Sequence, residues 1–160
     1  MKSLVLYSSQ SGNTEILAQA VYNSLEGEKE LCSIDKISSH DLDYDVVAVG
    51  FWLKAGKPDP KTEAFLKECT MNAKVFLFAT HGAAKDSDHA RGAMEYAASL
   101  LNGANVVGTY SCQGEVNPKV LEKAKQKDTP PPWLHEADDA VGHPDAADIA
   151  ELKAALKKAL

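Results

Sequence analysis

Cysteine is scarce in this chain. Cys32, Cys69 and Cys112 are the only three among 160 residues, odd in number and far apart, which argues against a disulfide framework or a Cys-x-x-Cys metal site. Each lies in or beside an apolar stretch, the setting of a buried free thiol, and a reducing cytoplasm is the expected compartment. Long hydrophobic runs are missing too. None approaches the roughly 20 apolar residues of a spanning helix, and Met1-Lys2 leads straight into a strand-like run, so no membrane segment and no secretory leader are expected. Positive charge is in deficit, with 17 Lys and Arg against 23 Asp and Glu and a net charge of −6. That disfavours nucleic acid, whose binding needs a basic face. It suits docking onto a basic protein patch.

Several catalytic signatures are also absent. There is no Gly-x-Ser-x-Gly elbow and no Ser-His-Asp arrangement of defined order. There is no Gly-x-x-x-x-Gly-Lys loop for a nucleoside triphosphate and no Gly-x-Gly-x-x-Gly for a dinucleotide. His135, Glu136, Asp138, Asp139, His143, Asp145 and Asp148 are dense in metal-type side chains, but a helix cap and a charged first turn explain them, and no metal site is expected. No internal repeat or low-complexity segment breaks the chain, whose length suits one domain over residues 1–160.

What is present is an alternation of apolar runs and amphipathic stretches. Leu4–Tyr7 reads as a strand and Thr14–Leu25 as a helix, with Leu17, Ala20, Val21 and Leu25 at helical spacing. Glu30–Ile34 reads as a short edge strand. Val46–Trp52, Val75–Thr80 and Asn105–Tyr110 read as further strands, the first two continuously apolar as a sheet covered on both faces requires. Asp59-Pro60 and Asn117-Pro118 pair a capping residue with a first-turn proline. A helix from Asp88 to Asn102 stops at Gly103, Asp128–Pro144 is an irregular excursion, and Asp145 caps a last helix bearing Ile149, Leu152 and Leu156. Alternation of this kind predicts an α/β three-layer sandwich with a parallel sheet. The five-stranded order 2-1-3-4-5 fits it, with ligands expected at the carboxyl ends of strands one, three and four.

The stretch between the first strand and first helix is Ser8-Ser9-Gln10-Ser11-Gly12-Asn13-Thr14. A helix N-terminus offers unpaired amides and the positive end of its dipole. The hydroxyls of Ser9, Ser11 and Thr14 add donors, and Gly12 permits a left-handed backbone. Such a cradle without Lys or Arg suits a phosphomonoester that stays bound.

Ser9-Gln10-Ser11-Gly12-Asn13-Thr14 resembles the [Ser/Thr]-x-[Ser/Thr]-Gly-x-Thr phosphate loop of flavodoxins. The resemblance implies a flavodoxin-like fold and FMN as cofactor, with those six residues on the phosphate. It further implies ring contacts from Phe51, Trp52 and Leu53 after the third strand and from Thr80, His81 and Gly82 after the fourth. Trp52 is the expected stacking partner. Flavodoxins commonly carry a Tyr in the loop after strand four, whereas Thr80-His81-Gly82-Ala83-Ala84-Lys85 has no aromatic but His81. Lys54, Lys57 and Lys85 are expected to border the ring and to raise its potential. The function implied is electron transfer, as a small redox carrier or as the flavin subunit of a partner reductase docked near the flavin edge. A flavin-dependent reductase acting on a small molecule such as a quinone is the alternative. A CheY-like signalling domain shares the strand order but needs acids where Ser8, Ser9 and Gln10 stand.

Overall fold

The computed structural model describes all residues from Met1 to Leu160. Its main strands are β1 (Lys2–Tyr7), β2 (Glu28–Ser33), β3 (Val46–Lys54), β4 (Lys74–His81) and β5 (Asn105–Gln113). They pair in parallel in the order β2-β1-β3-β4-β5, which is the expected 2-1-3-4-5. The helices are α1 (Asn13–Ser24), α2 (Pro60–Glu68), α3 (Asp88–Ser99), α4 (Pro118–Lys125) and α5 (Ala146–Ala159). No helix is long and apolar enough to cross a membrane.

Two cores form because strand side chains alternate between faces. Val47, Val49 and Phe51 of β3 point to one side, where Phe65 and Leu66 of α2 and Met94 and Ala97 of α3 cover them. Val46 and Ala48 point to the other side, under Leu17 and Val21 of α1 and Leu152 and Leu156 of α5. Burial on both faces is why β3 and β4 read as unbroken apolar runs. α4 instead meets a 3₁₀ segment, Leu134–Ala140, inside the excursion.

Several boundaries differ from the sequence reading. β3 runs past Trp52 to Lys54 and folds back through Ala55-Gly56 onto Lys57-Pro58, an antiparallel hairpin where a plain loop was expected. β4 extends through His81 and β5 through Gln113, because ladder bonds continue beyond the apolar residues. α3 ends at Ser99 rather than Asn102. Asp41–Leu42 and Thr70–Met71 form a further two-residue parallel ladder.

Candidate functional site

The ends of β1, β3 and β4 meet at one edge of the sheet, and four loops gather there. The first begins with Ser8, whose amide donates to the Gly50 carbonyl at 2.9 Å. The Ser8 hydroxyl donates to Asp59 Oδ1 at 3.0 Å. Asp59 is only 1% exposed. Its carboxylate also accepts from the Thr62 amide at 3.2 Å and the Thr62 hydroxyl at 2.9 Å, so one buried acid caps α2 and fixes the start of the loop.

Farther along, Ser9 Oγ accepts from the Gly12 amide at 3.1 Å and the Glu15 amide at 3.4 Å, leaving its own proton to give. Gln10 and Ser11 are exposed. Gly12 is the N-cap of α1 with φ +95°, a left-handed conformation that favours glycine. Gly12 has no side chain with which to cap α1; Ser9 takes the Glu15 amide, and the amides of Asn13 and Thr14 are left without a partner. The other four helices are capped by Asp59, Ser87, Asn117 and Asp145. A Cβ on Gly12 would meet nothing within 4 Å. The first turn of α1 therefore presents uncapped amides beside open space, which is what an external anion requires.

Two members of the loop face inward. Thr14 is 1% exposed, and its hydroxyl lies 2.9 Å from that of Thr80 on β4, the two sharing one hydrogen bond. Asn13 donates through Nδ2 to the Glu115 carbonyl at 2.9 Å. The side chain rests so close to Gly114 that a Cβ there would stand 2.8 Å from Nδ2. Both residues pin α1 to the ends of β4 and β5.

The flavodoxin domain family matches residues 4–157. The chain belongs to that family. A flavodoxin-like domain-containing protein, BilS, from Clostridioides difficile (strain CD3) is 30% identical, the alignment covering 94% of this chain and 92% of that one. Among solved structures, the azoreductase AzrA aligns with a TM-score of 0.64 at 12% identity, over 99% of this chain and all of its own. A flavoprotein from Lactobacillus acidophilus NCFM, solved in complex with FMN, aligns with a TM-score of 0.54 at 18% identity, over 69% of this chain and 92% of that one. At these identities the likeness to the solved structures is one of fold.

Within this flavodoxin domain the residues expected around a ring divide by face. Phe51 is fully buried in the core beneath α2 and α3, and Leu53 packs against the same core. Their side chains belong to the packing. Trp52 alternates to the α1 face and is half-buried, and it stands in register with Thr80. Its carbonyl accepts the Asp59 amide at 2.9 Å.

His81 is the last residue of β4, not a loop residue. It is 6% exposed, with Nδ1 2.9 Å from the Ala83 carbonyl and Nε2 3.2 Å from Ser111 Oγ. Burial pushes its pKa below the ordinary histidine value; both nitrogens are engaged and the ring is neutral near pH 7. The lysines depart from expectation as well. Lys57 lies over the Tyr96 ring of α3 at 5.4 Å. Lys85 pairs with Glu151 of α5 and lies over Tyr110 at 5.4 Å. Only Lys54, exposed near the hairpin turn, keeps the expected freedom.

The thiols carry no nucleophile. Burial raises Cys69 to about 11 and Cys112 to about 12 and also raises Cys32. His143, Asp145 and Asp148 do converge, but their contacts are structural. Asp145 and Asp148 form a reciprocal capping box on α5, and His143 Nδ1 donates to the Asp148 carboxylate.

The sequence reading missed the contribution of the excursion. Trp133 packs on Gly82, where a Cβ would stand 3.3 Å from indole Cε3. Glu136 accepts from the Ala84 amide, and Gln113 Nε2 donates to the Gly82 and Glu136 carbonyls at 3.4 Å each. Composition marked the segment as irregular; the isolated indole in a proline run was its one readable signal.

Proposed function

We propose that this chain binds FMN at the carboxyl ends of β1, β3 and β4 and serves as an electron carrier for a partner reductase. One observation carries the reading. α1 alone among the five α-helices has no capping side chain at its N-cap, and the amides of Asn13 and Thr14 open beside Gly12, with the hydroxyls of Ser9 and Ser11 in the same loop. Dipole, amides and hydroxyls fit a phosphate dianion without a basic residue. FMN, when bound, supplies the one- and two-electron redox chemistry. The protein's part is placement. The first turn of α1 would hold the phosphate, with Thr14 and Asn13 fixing that turn through Thr80 and Glu115. Trp52 would lie against the ring on the α1 face, beside Thr80, its register partner.

His81 is held through both ring nitrogens and burial raises the thiols, so neither is assigned an acid, base or nucleophilic role. The net charge of −6 favours a basic docking surface on the redox partner, near the exposed flavin edge. The three free cysteines suit a reducing cytoplasm.

The test is the visible absorption spectrum of the protein as purified, followed by mass identification of the released cofactor. Flavin bands and the mass of FMN are expected; a protein that neither carries nor takes up FMN overturns the reading. Steady-state NAD(P)H oxidation without any partner separates the two roles, since rapid turnover would make the chain a reductase.

A further inference from the structure

The carboxyl edge of the sheet holds two indoles, and they are the chain's only two tryptophans. Trp52 rises from β3 on the face covered by α1. Thr80 is its register partner on β4 and shares that face, since its hydroxyl reaches Thr14 of α1. Gly82 lies two residues farther along, so it returns to the same side, and Trp133 stands on it. Strands sit about 4.8 Å apart and rise about 3.3 Å per residue, which puts the Trp52 and Gly82 backbones about 8 Å apart.

Trp133 is held firmly for a residue in an irregular segment. Pro130, Pro131 and Pro132 precede it, and fixed φ angles restrict their path. The Leu134 amide donates to the Pro131 carbonyl and the Glu136 amide to the Trp133 carbonyl, each at 3.0 Å. Glu136 and Gln113 then clamp the 3₁₀ turn to Gly82 and Ala84. The indole is half-buried, with part of its surface free. The absence of a side chain at position 82 leaves space that the indole and the Val116 methyl group share.

We propose that Trp133 forms the second aromatic wall of the flavin ring site, opposite Trp52, and supplies from the excursion the aromatic surface that the loop after β4 lacks. The inference rests on the FMN-binding reading above. Trp133 would act on the flavin ring and not on the phosphate.

Riboflavin and FMN share the ring and differ in the phosphate, so titrating both tests the assignment. In W133A, both affinities should fall by the same factor, up to about tenfold, the range of an aromatic stacking pair. W133F should restore most of that loss with an unchanged apoprotein melting temperature. Bound-flavin emission gives a readout independent of affinity, because an indole in contact quenches it. W52F should stay dark, and the W52F/W133F double variant should become fluorescent.

Unchanged titrations in W133A, or equal emission from W52F and the double variant, overturn the proposal while leaving FMN binding intact. Tighter flavin binding in W133A also overturns it, since Trp133 would then be a plug. Should W133A fail to fold, the emission comparison in the phenylalanine variants decides. A wild-type protein that binds neither flavin removes the proposal together with the reading beneath it.

Discussion

Replacing Gly12 by alanine separates the backbone of the loop before α1 from the phosphate proposed to sit on it. At φ +95° the new Cβ has no atom within 4 Å, so no clash enters the accounting. What remains is left-handed backbone strain, about 1–2 kcal/mol for a residue with a Cβ. At roughly 2–4 °C per kcal/mol for a chain of this size, the apoprotein should melt about 2–8 °C lower. The effect on FMN should be larger. The methyl group enters the open space beside the uncapped turn. A single displaced hydrogen bond to a charged group is worth about 1.5–3 kcal/mol, which is a loss of about tenfold to a hundredfold at 1.4 kcal/mol per decade. Riboflavin has no phosphate and should lose almost nothing. The assay is parallel titration of both flavins by fluorescence, with calorimetric melting of the apoprotein. Equal losses for the two ligands, or unaltered FMN binding beside the melting shift, would refute the argument that the first turn of α1 grips a phosphate.

Asp59→Ala should destabilise the apoprotein by about 2–4 kcal/mol in denaturant titration, combining a lost helix cap of about 1 kcal/mol with an orphaned buried Ser8 hydroxyl of about 1–3 kcal/mol. Asp59→Asn should recover most of this, since asparagine caps nearly as well. The two inward histidines should act on opposite sides of the ordinary histidine pKa. His143 is raised, first by its hydrogen bond to Asp148, so its contribution is complete below about pH 6.5 and lost as pH rises through the folded-state value. His81 is lowered by burial, so stability falls as pH drops below about 6.5. Apoprotein melting from pH 5 to 9 should lose its alkaline slope in His143→Gln and its acidic slope in His81→Gln; unchanged slopes would show that other groups set them. Lys85→Met should leave FMN affinity unchanged, because Lys85 is directed at Glu151 and Tyr110, and a marked loss would place that side chain at the site.

The strand order and the first loop were legible because they follow from local pattern. Apolar runs of strand length, caps such as Asp59 and Asp145, and the hydroxyl-rich turn before α1 each carry their meaning in a few adjacent residues. Where the reading ran short, the cause was distance along the chain. Lys54 and Lys57 are polar, so the hairpin they close has no hydrophobic signature. Phe51 and Trp52 are neighbours of similar chemistry, yet period-two alternation sends one into the core and leaves the other at the edge. The Thr14–Thr80 bond spans 66 residues, and the Trp133–Gly82 contact spans 51, which no window of sequence reveals.

The uncapped start of α1 has a consequence for how the protein lives without its ligand. Four helices carry their own stoppers at the N-cap, whereas the fifth has Gly12 there and leaves two amides of its first turn to be met from outside. The amides of Asn13 and Thr14, bonded to nothing in the protein, should exchange early although their side chains hold the turn in place. Ligand then acts by mass action on the native state alone, adding about 2.7 kcal/mol at a hundredfold excess over Kd. On the FMN reading, cofactor supply and protein lifetime are coupled through one helical turn: empty copies are cleared first, and the surviving pool is the loaded one.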